Sequence, residues 1–172
     1  MNFIPVGFIA VLILLLLEMI LASKWSPFYF KKGIQLSGKE INCEISRLNV
    51  GQITNQLNNA FKGTWSSPSI LFNLIDDKTI TFRERLFEFC FFNYTPLMHG
   101  KIEINSNKVH IVGLCNWYPL AFLVLWYSFL IPIVGFEFDI IFLIAPAIIF
   151  GFIYIIQSRR YSKIMTQLIN TK

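Results

Sequence analysis

Three cysteines and two histidines are the residues of this chain that could hold a metal or act as nucleophile and base. A tetrahedral zinc site takes ligands paired at short spacing, as in Cys-x-x-Cys or His-x-x-x-His. Cys43, Cys90, Cys115, His99 and His110 show no such spacing, so no metal site is expected. Cys90 stands among Phe89, Phe91 and Phe92, where a thiol behaves as a small hydrophobe and resists ionisation. Asp76 and Asp77 fall between two apolar runs, a position where Asp serves turn chemistry. The chain has neither a Gly-rich phosphate loop nor a Gly-x-Ser-x-Gly elbow. No catalytic residue and no cofactor is expected, and the chain reads as a non-enzyme.

The elements around these residues are unusual in composition. Of 172 residues, 55% are hydrophobic and only 15% charged, against about 25% charged in an ordinary soluble domain. The excess sits at the two ends. Residues 3–22 carry one charge, Glu18; residues 119–135 carry none; residues 138–156 carry Asp139 at their start. A membrane span takes roughly 17–25 mostly apolar residues, so the expected architecture is three transmembrane helices. The first reads as a retained anchor rather than a signal peptide, because no Lys or Arg precedes Lys24 and the apolar run is long.

Lys and Arg gather on the cytoplasmic side of spans. Here eleven fall in residues 23–118 and four in the tail, with none in the acidic turn that holds Glu137 and Asp139. The expected layout has the N-terminus outside and residues 23–118 and the C-terminus in the cytoplasm, integral to the plasma (bacterial inner) membrane. The cysteines then face a reducing compartment and form no disulfide framework. The sequon Asn93-Tyr94-Thr95 goes unglycosylated there.

The middle segment has its own periodicities. Val50, Ile53, Leu57 and Phe61 recur about once per helical turn, from a possible N-cap at Asn49 to Gly63. A hairpin turning at Asp76-Asp77-Lys78 sets Leu74 opposite Ile80 and Phe72 opposite Phe82, with Asn73 and Thr81 on the other face. Phe87, Phe89 and Phe91 alternate as in a strand. A second hairpin, with Ser106-Asn107 as its loop, sets Ile104 against Val109, Ile102 against Ile111 and Glu103 against His110. On that hairpin His110 and Cys115 point to opposite faces. The fold class expected is therefore integral membrane, α+β: an antiparallel β-meander with one short helix, inserted between the first and second of three transmembrane helices. The segments are 1–22, the α+β domain 23–118, 119–135, 136–156 and an amphipathic basic tail 157–172.

The stretches "FFNYTPLMHGKIEI", "VHIVGLCNWYPLAFLVLWYSF" and "FGFIYIIQSRRYSKIMTQLI" resemble a class of small bacterial membrane proteins without an assigned activity. Its Asn-x-x-Pro-x-x-x-Gly stretch matches Asn93, Pro96 and Gly100. The resemblance covers roughly residues 80–170. It implies a pleckstrin-homology-like cytoplasmic domain, a membrane hairpin and a helical tail, and it implies no catalytic residue. The class has a charged residue and a His-Pro where this chain runs from Asn116 to Pro119.

The functional expectation is a docking, scaffold or accessory subunit of a membrane complex. The alternatives are a subunit lending spans to a transport or channel path, or a sensor of lipid headgroups. Lys24, Lys31, Lys32, Arg159, Arg160 and Lys163 are candidates for contact with anionic lipid, and Trp25, Trp117 and Tyr118 for interfacial anchors. Expected partners are the lipid bilayer and other membrane subunits or a second copy, with no nucleic acid. Tyr161, Ile164, Met165, Leu168 and Ile169 share one helical face, read as the side of a tail helix lying on the bilayer.

Overall fold

The structure, a computed structural model, describes residues 3–42, 50–64, 68–85, 96–105, 108–134 and 140–170. The helices are α1 (Phe3–Ser23), α2 (Pro27–Lys31), α3 (Val50–Ala60), α4 (Trp117–Val134) and α5 (Ile140–Asn170). The strands are β1 (Gln35–Asn42), β2 (Ile70–Asp76), β3 (Thr79–Glu84), β4 (Met98–Asn105) and β5 (Lys108–Cys115). They form one antiparallel sheet in the order β1-β5-β4-β3-β2.

Period-two alternation fixes register wherever one face is buried. Leu74 pairs with Ile80, Phe72 with Phe82 and Asn73 with Thr81. Ile104 pairs with Val109, Ile102 with Ile111 and Glu103 with His110. The first turn is tighter than expected. Asp76 pairs with Thr79 past an irregularity after Leu74, leaving Asp77-Lys78 as the turn. There the Lys78 N–H donates to Asp76 Oδ1 at 3.2 Å, a side-chain turn that stands in for glycine. The sheet is not a plain meander. β1 skips β2 and pairs with β5, Lys39 opposite Ile111, so the first strand closes onto the last. Cys43, Cys90, Asn49, the Phe87–Phe89–Phe91 alternation, the loop Ser106-Asn107 and the sequon at Asn93 lie outside the described residues.

One face of the sheet carries the core. Ile70, Phe72, Ile80, Phe82, Met98, Ile102, Val109 and Ile111 meet Ile53 and Leu57 of α3 and Tyr161, Ile164 and Leu168 of α5. The Phe82 ring crosses the sheet to lie over Gly100, its register partner, where a Cβ would overlap it. That close approach is why glycine stands in this strand. Edge strand β2 is closed by α3. Asn58 accepts from the Phe72 N–H at 2.9 Å and donates to the Phe72 carbonyl at 3.0 Å, as a neighbouring strand would.

These contacts correct the expected fold class. Among the described residues no helix is long and apolar enough to cross a membrane. The reading of an integral membrane protein with three transmembrane helices is set aside on that finding. So are its transmembrane and inner-membrane assignments and the outside–inside topology built on them. Run length misled because it counts apolar residues without seeing what the fold claims among them. Glu18 and Ala22, near the C-terminal end of the first run, are buried in the domain. The third run continues without a break into α5, past Pro146. Of the tail stripe expected to face a bilayer, Tyr161, Ile164 and Leu168 are buried against the sheet, with Tyr161 donating to the Met98 carbonyl at 2.7 Å, while Ile169 stays exposed.

Candidate functional site

Where α1, α2, β4 and α4 meet, polar side chains from distant parts of the chain are buried together. α1 ends in a C-terminal motif in which the Ser26 N–H reaches the Leu21 carbonyl and the Trp25 N–H the Ala22 carbonyl. Its left-handed position, normally glycine, is Trp25, at φ 51°. Such a conformation costs a non-glycine residue about 1–2 kcal/mol. Two contacts of the indole offset it: the ring stacks on Phe30 at 5.2 Å and carries the Arg83 guanidinium at 5.0 Å. The turn throws α2 back across the sheet and buries Tyr29 and Phe30.

Glu18 sits one and a half turns before that end and is 3% exposed. Its carboxylate caps α4, a helix 99 residues further along the chain. Oε1 accepts from the Trp117 N–H and from the Tyr29 hydroxyl (3.2 Å), and Oε2 from the Tyr118 N–H at 3.0 Å. A negative side chain at a helix N-terminus satisfies orphan donors and meets the positive end of the dipole. Burial nevertheless pushes Glu18 above the usual carboxylate range, against those three hydrogen bonds.

Beside it, His99 stacks on Tyr29 with centroids 4.1 Å apart. Its Nδ1 lies 2.7 Å from Asn116 Oδ1 and its Nε2 3.2 Å from the Tyr29 carbonyl. The Tyr29 hydroxyl, whose one proton is shared with Glu18, also lies 3.1 Å from Asn116 Oδ1, and Asn116 Nδ2 donates to the Pro96 carbonyl at 2.7 Å. Tyr118 donates its hydroxyl to the same carbonyl at 2.9 Å. Cys115 is buried, its thiol directed at the Asn116 carbonyl at 3.2 Å and pushed up to about 11 by burial and by Glu18. Alkylation needs the thiolate. Cys115 is therefore expected to resist iodoacetamide at pH 8 in the folded chain and to react on unfolding; equal rates in the two states contradict the burial described.

A second buried polar group fastens α5 to the end of β3. Glu84, fully shielded, accepts from Arg160 and, at 2.9 Å, from Gln157 Nε2. Arg160 also donates to the Pro68 carbonyl, and Gln157 Oε1 accepts the Leu97 N–H at 2.9 Å. The open face of the sheet carries a groove of about 520 Å³ lined by Lys31, Glu40, Lys101, Glu103 and His110. Its charges are already matched, Lys101 to Glu103 at 2.6 Å and Glu40 to Lys108 at 2.5 Å. His110 stands opposite Glu103 in the register, as the hairpin alone suggested, and its Nδ1 also lies 3.7 Å from Glu40 on β1.

The basic residues singled out in the sequence divide. Arg160 is held by Glu84, Lys31 pairs with Asp76 at 3.0 Å, and Lys32 lies over the Phe28 ring at 5.4 Å. Lys24, Arg159 and Lys163 are exposed. Trp25, Trp117 and Tyr118 all come to the joint rather than to a common outer rim. Among the described residues no group of His, Cys, Asp and Glu could hold a metal ion.

Sequence reasoning marked Glu18 as an acid in an apolar run but could not supply its partners. It missed Tyr29, Glu84 and Gln157, none of which belongs to a short motif, weighed His99 only as a metal ligand or base, and gave Asn116 no partner. Chemically the joint is closed. Glu18, Tyr29 and His99 are each under 4% exposed, and their hydrogen bonds tie α1, α2, β4 and α4 together. No family model, curated protein or solved structure matches the chain.

Proposed function

We propose that the chain is a non-enzymatic docking or accessory subunit, in which a stiff α+β domain presents an apolar helical face to a partner protein. One observation carries the reading. Large aliphatic and aromatic side chains stay exposed on three helices that pack in a row, α4 against both α1 and α5. Val124, Ile148 and Phe152 are 65%, 63% and 64% exposed, and Leu12, Ile13 and Leu16 are all above half. A contiguous apolar patch beyond a few hundred Å² marks an interaction surface, because leaving it in water forfeits about 25 cal/mol per Å². The net charge of +5, with Lys24, Arg159 and Lys163 exposed, favours a partner with an acidic rim around its own apolar helices. The transport alternative loses its ionisable residue, since Glu18 is engaged by α4.

The test is native mass in mild detergent of the full chain and of a Val124→Glu, Ile148→Glu variant. The reading expects a defined assembly above the 20.0 kDa of one chain, with a partner that the variant loses while keeping its sheet. A lone 20.0 kDa species, or a partner retained by the variant, overturns it.

A further inference from the structure

His99 has an acceptor in front of each ring nitrogen. The Asn116 amide is oriented by its Nδ2, which donates to the Pro96 carbonyl, so Oδ1 is the atom facing Nδ1. The group facing Nε2 is the Tyr29 carbonyl. A neutral imidazole offers one N–H and one lone pair. Either neutral tautomer therefore sets a lone pair against a carbonyl oxygen in a shielded site, at 2.7 Å or at 3.2 Å. Only the ring with both protons satisfies the two contacts.

Glu18 shows the complementary pattern. A backbone N–H faces each of its oxygens, Trp117 on Oε1 and Tyr118 on Oε2, which suits an ionised carboxylate, while the one Tyr29 hydroxyl proton is shared between Oε1 and Asn116 Oδ1. Tyr29 touches both groups: its hydroxyl reaches Glu18 and Asn116, its ring stacks on His99, and its carbonyl meets Nε2.

We propose that the joint holds a buried ion pair, Glu18 carboxylate and His99 imidazolium, bridged by Tyr29 and Asn116, and that losing the His99 proton loosens α1 and α4 from the sheet. The same two protons could sit one on each group, as a neutral acid and a neutral imidazole. Burial by itself favours that arrangement, pushing Glu18 up and His99 down. The hydrogen bonds oppose burial at both residues, and the acceptors in front of both His99 nitrogens, with a backbone N–H on each Glu18 oxygen, favour the charged form.

The other ionisable groups of the joint among the described residues are Tyr29 of α2 and Arg83 of β3, which adjoin His99, and Cys115 of β5 and Tyr118 of α4, which adjoin Tyr29 and Glu18. Arg83, directly opposite in the register, is the like charge against it. Its guanidinium is drawn over the Trp25 ring instead, leaving Nε shielded and without a hydrogen-bond partner. Cys115 and Tyr118 are neutral donors. Among the described residues Glu18 is the one acid in the joint. Burial pushes His99 down, and in the proposed pair the proton is held against it, so that the pair's stabilisation is complete below the ordinary histidine value and fades as pH rises through the folded-state titration.

The experiment is nitrogen NMR of the ring-labelled full chain carrying His110→Gln, which leaves His99 as the only histidine. The imidazolium signature at pH 7.5, about one unit above the ordinary value, is expected. A neutral ring at that pH, of either tautomer, overturns the proposal. Adding Glu18→Gln is expected to drop the His99 titration by about one unit or more through loss of the opposite charge. An unmoved titration in a folded Glu18→Gln chain overturns the pairing; if that variant does not fold, the His110→Gln spectrum alone decides.

Discussion

Glu84→Ala is expected to lower the unfolding free energy by about 3–5 kcal/mol, the usual cost of removing one partner from a buried charge pair. Arg160 would be left with a side chain only 15% exposed and no carboxylate in front of it, and Gln157 would lose an acceptor. Both lie on α5, and the apolar side chains one turn further on, Tyr161 and Ile164, are core. The damage should therefore appear as detachment of α5 from the sheet. Hydrogen exchange in the second half of α5 should rise together with that of β3 and β4. Combining Glu84→Leu with Arg160→Met is expected to recover most of the loss, because the desolvation cost of both charges disappears together. The measurement is urea unfolding followed by far-ultraviolet dichroism. A Glu84→Ala cost below about 1 kcal/mol, as for a surface pair, would mean that water reaches the carboxylate.

Glu18→Leu is the second large effect. It keeps the apolar character of α1 but withdraws the acceptor from the Trp117 and Tyr118 amides and from the Tyr29 hydroxyl. Each buried donor left without an acceptor costs about 1–3 kcal/mol. Because α1 and α4 touch the sheet through this joint, the amides of Trp117 and Tyr118 are expected to exchange faster than those in the middle of α4. Glu18→Gln retains an acceptor oxygen and should fall between the wild type and Leu. Equal stability of all three chains, read as urea midpoints at constant slope, would mean that α4 is capped by something other than Glu18.

Most of the sheet was legible in the order of residues. The runs around Asp77-Lys78 and Ser106-Asn107 alternate with period two, and a shift of one residue would turn Phe72, Phe82, Ile102 and Ile111 out of the core. The face of α3 was legible for the same reason, since Ile53 and Leu57 recur at the helical period. What alternation could not supply was the place of β1. Pairing of β1 with β5 rests on contacts such as Lys39 opposite Ile111, some seventy residues apart, for which local pattern holds no signal.

The sequence by itself determined which residues are apolar, where the chain turns and which side chains share a strand face, because these follow from local sterics and from the hydrophobic effect. Only the tertiary structure decided what the apolar runs do. A stripe of Tyr161, Ile164 and Leu168 looks alike whether it faces lipid or a sheet, and here it faces the sheet. Glu18 looks alike whether it lines a path or caps a helix, and here it caps α4. Burial makes the choice: a polar group out of water must find its partner, and that partner lies 99 residues away, where no short motif can point.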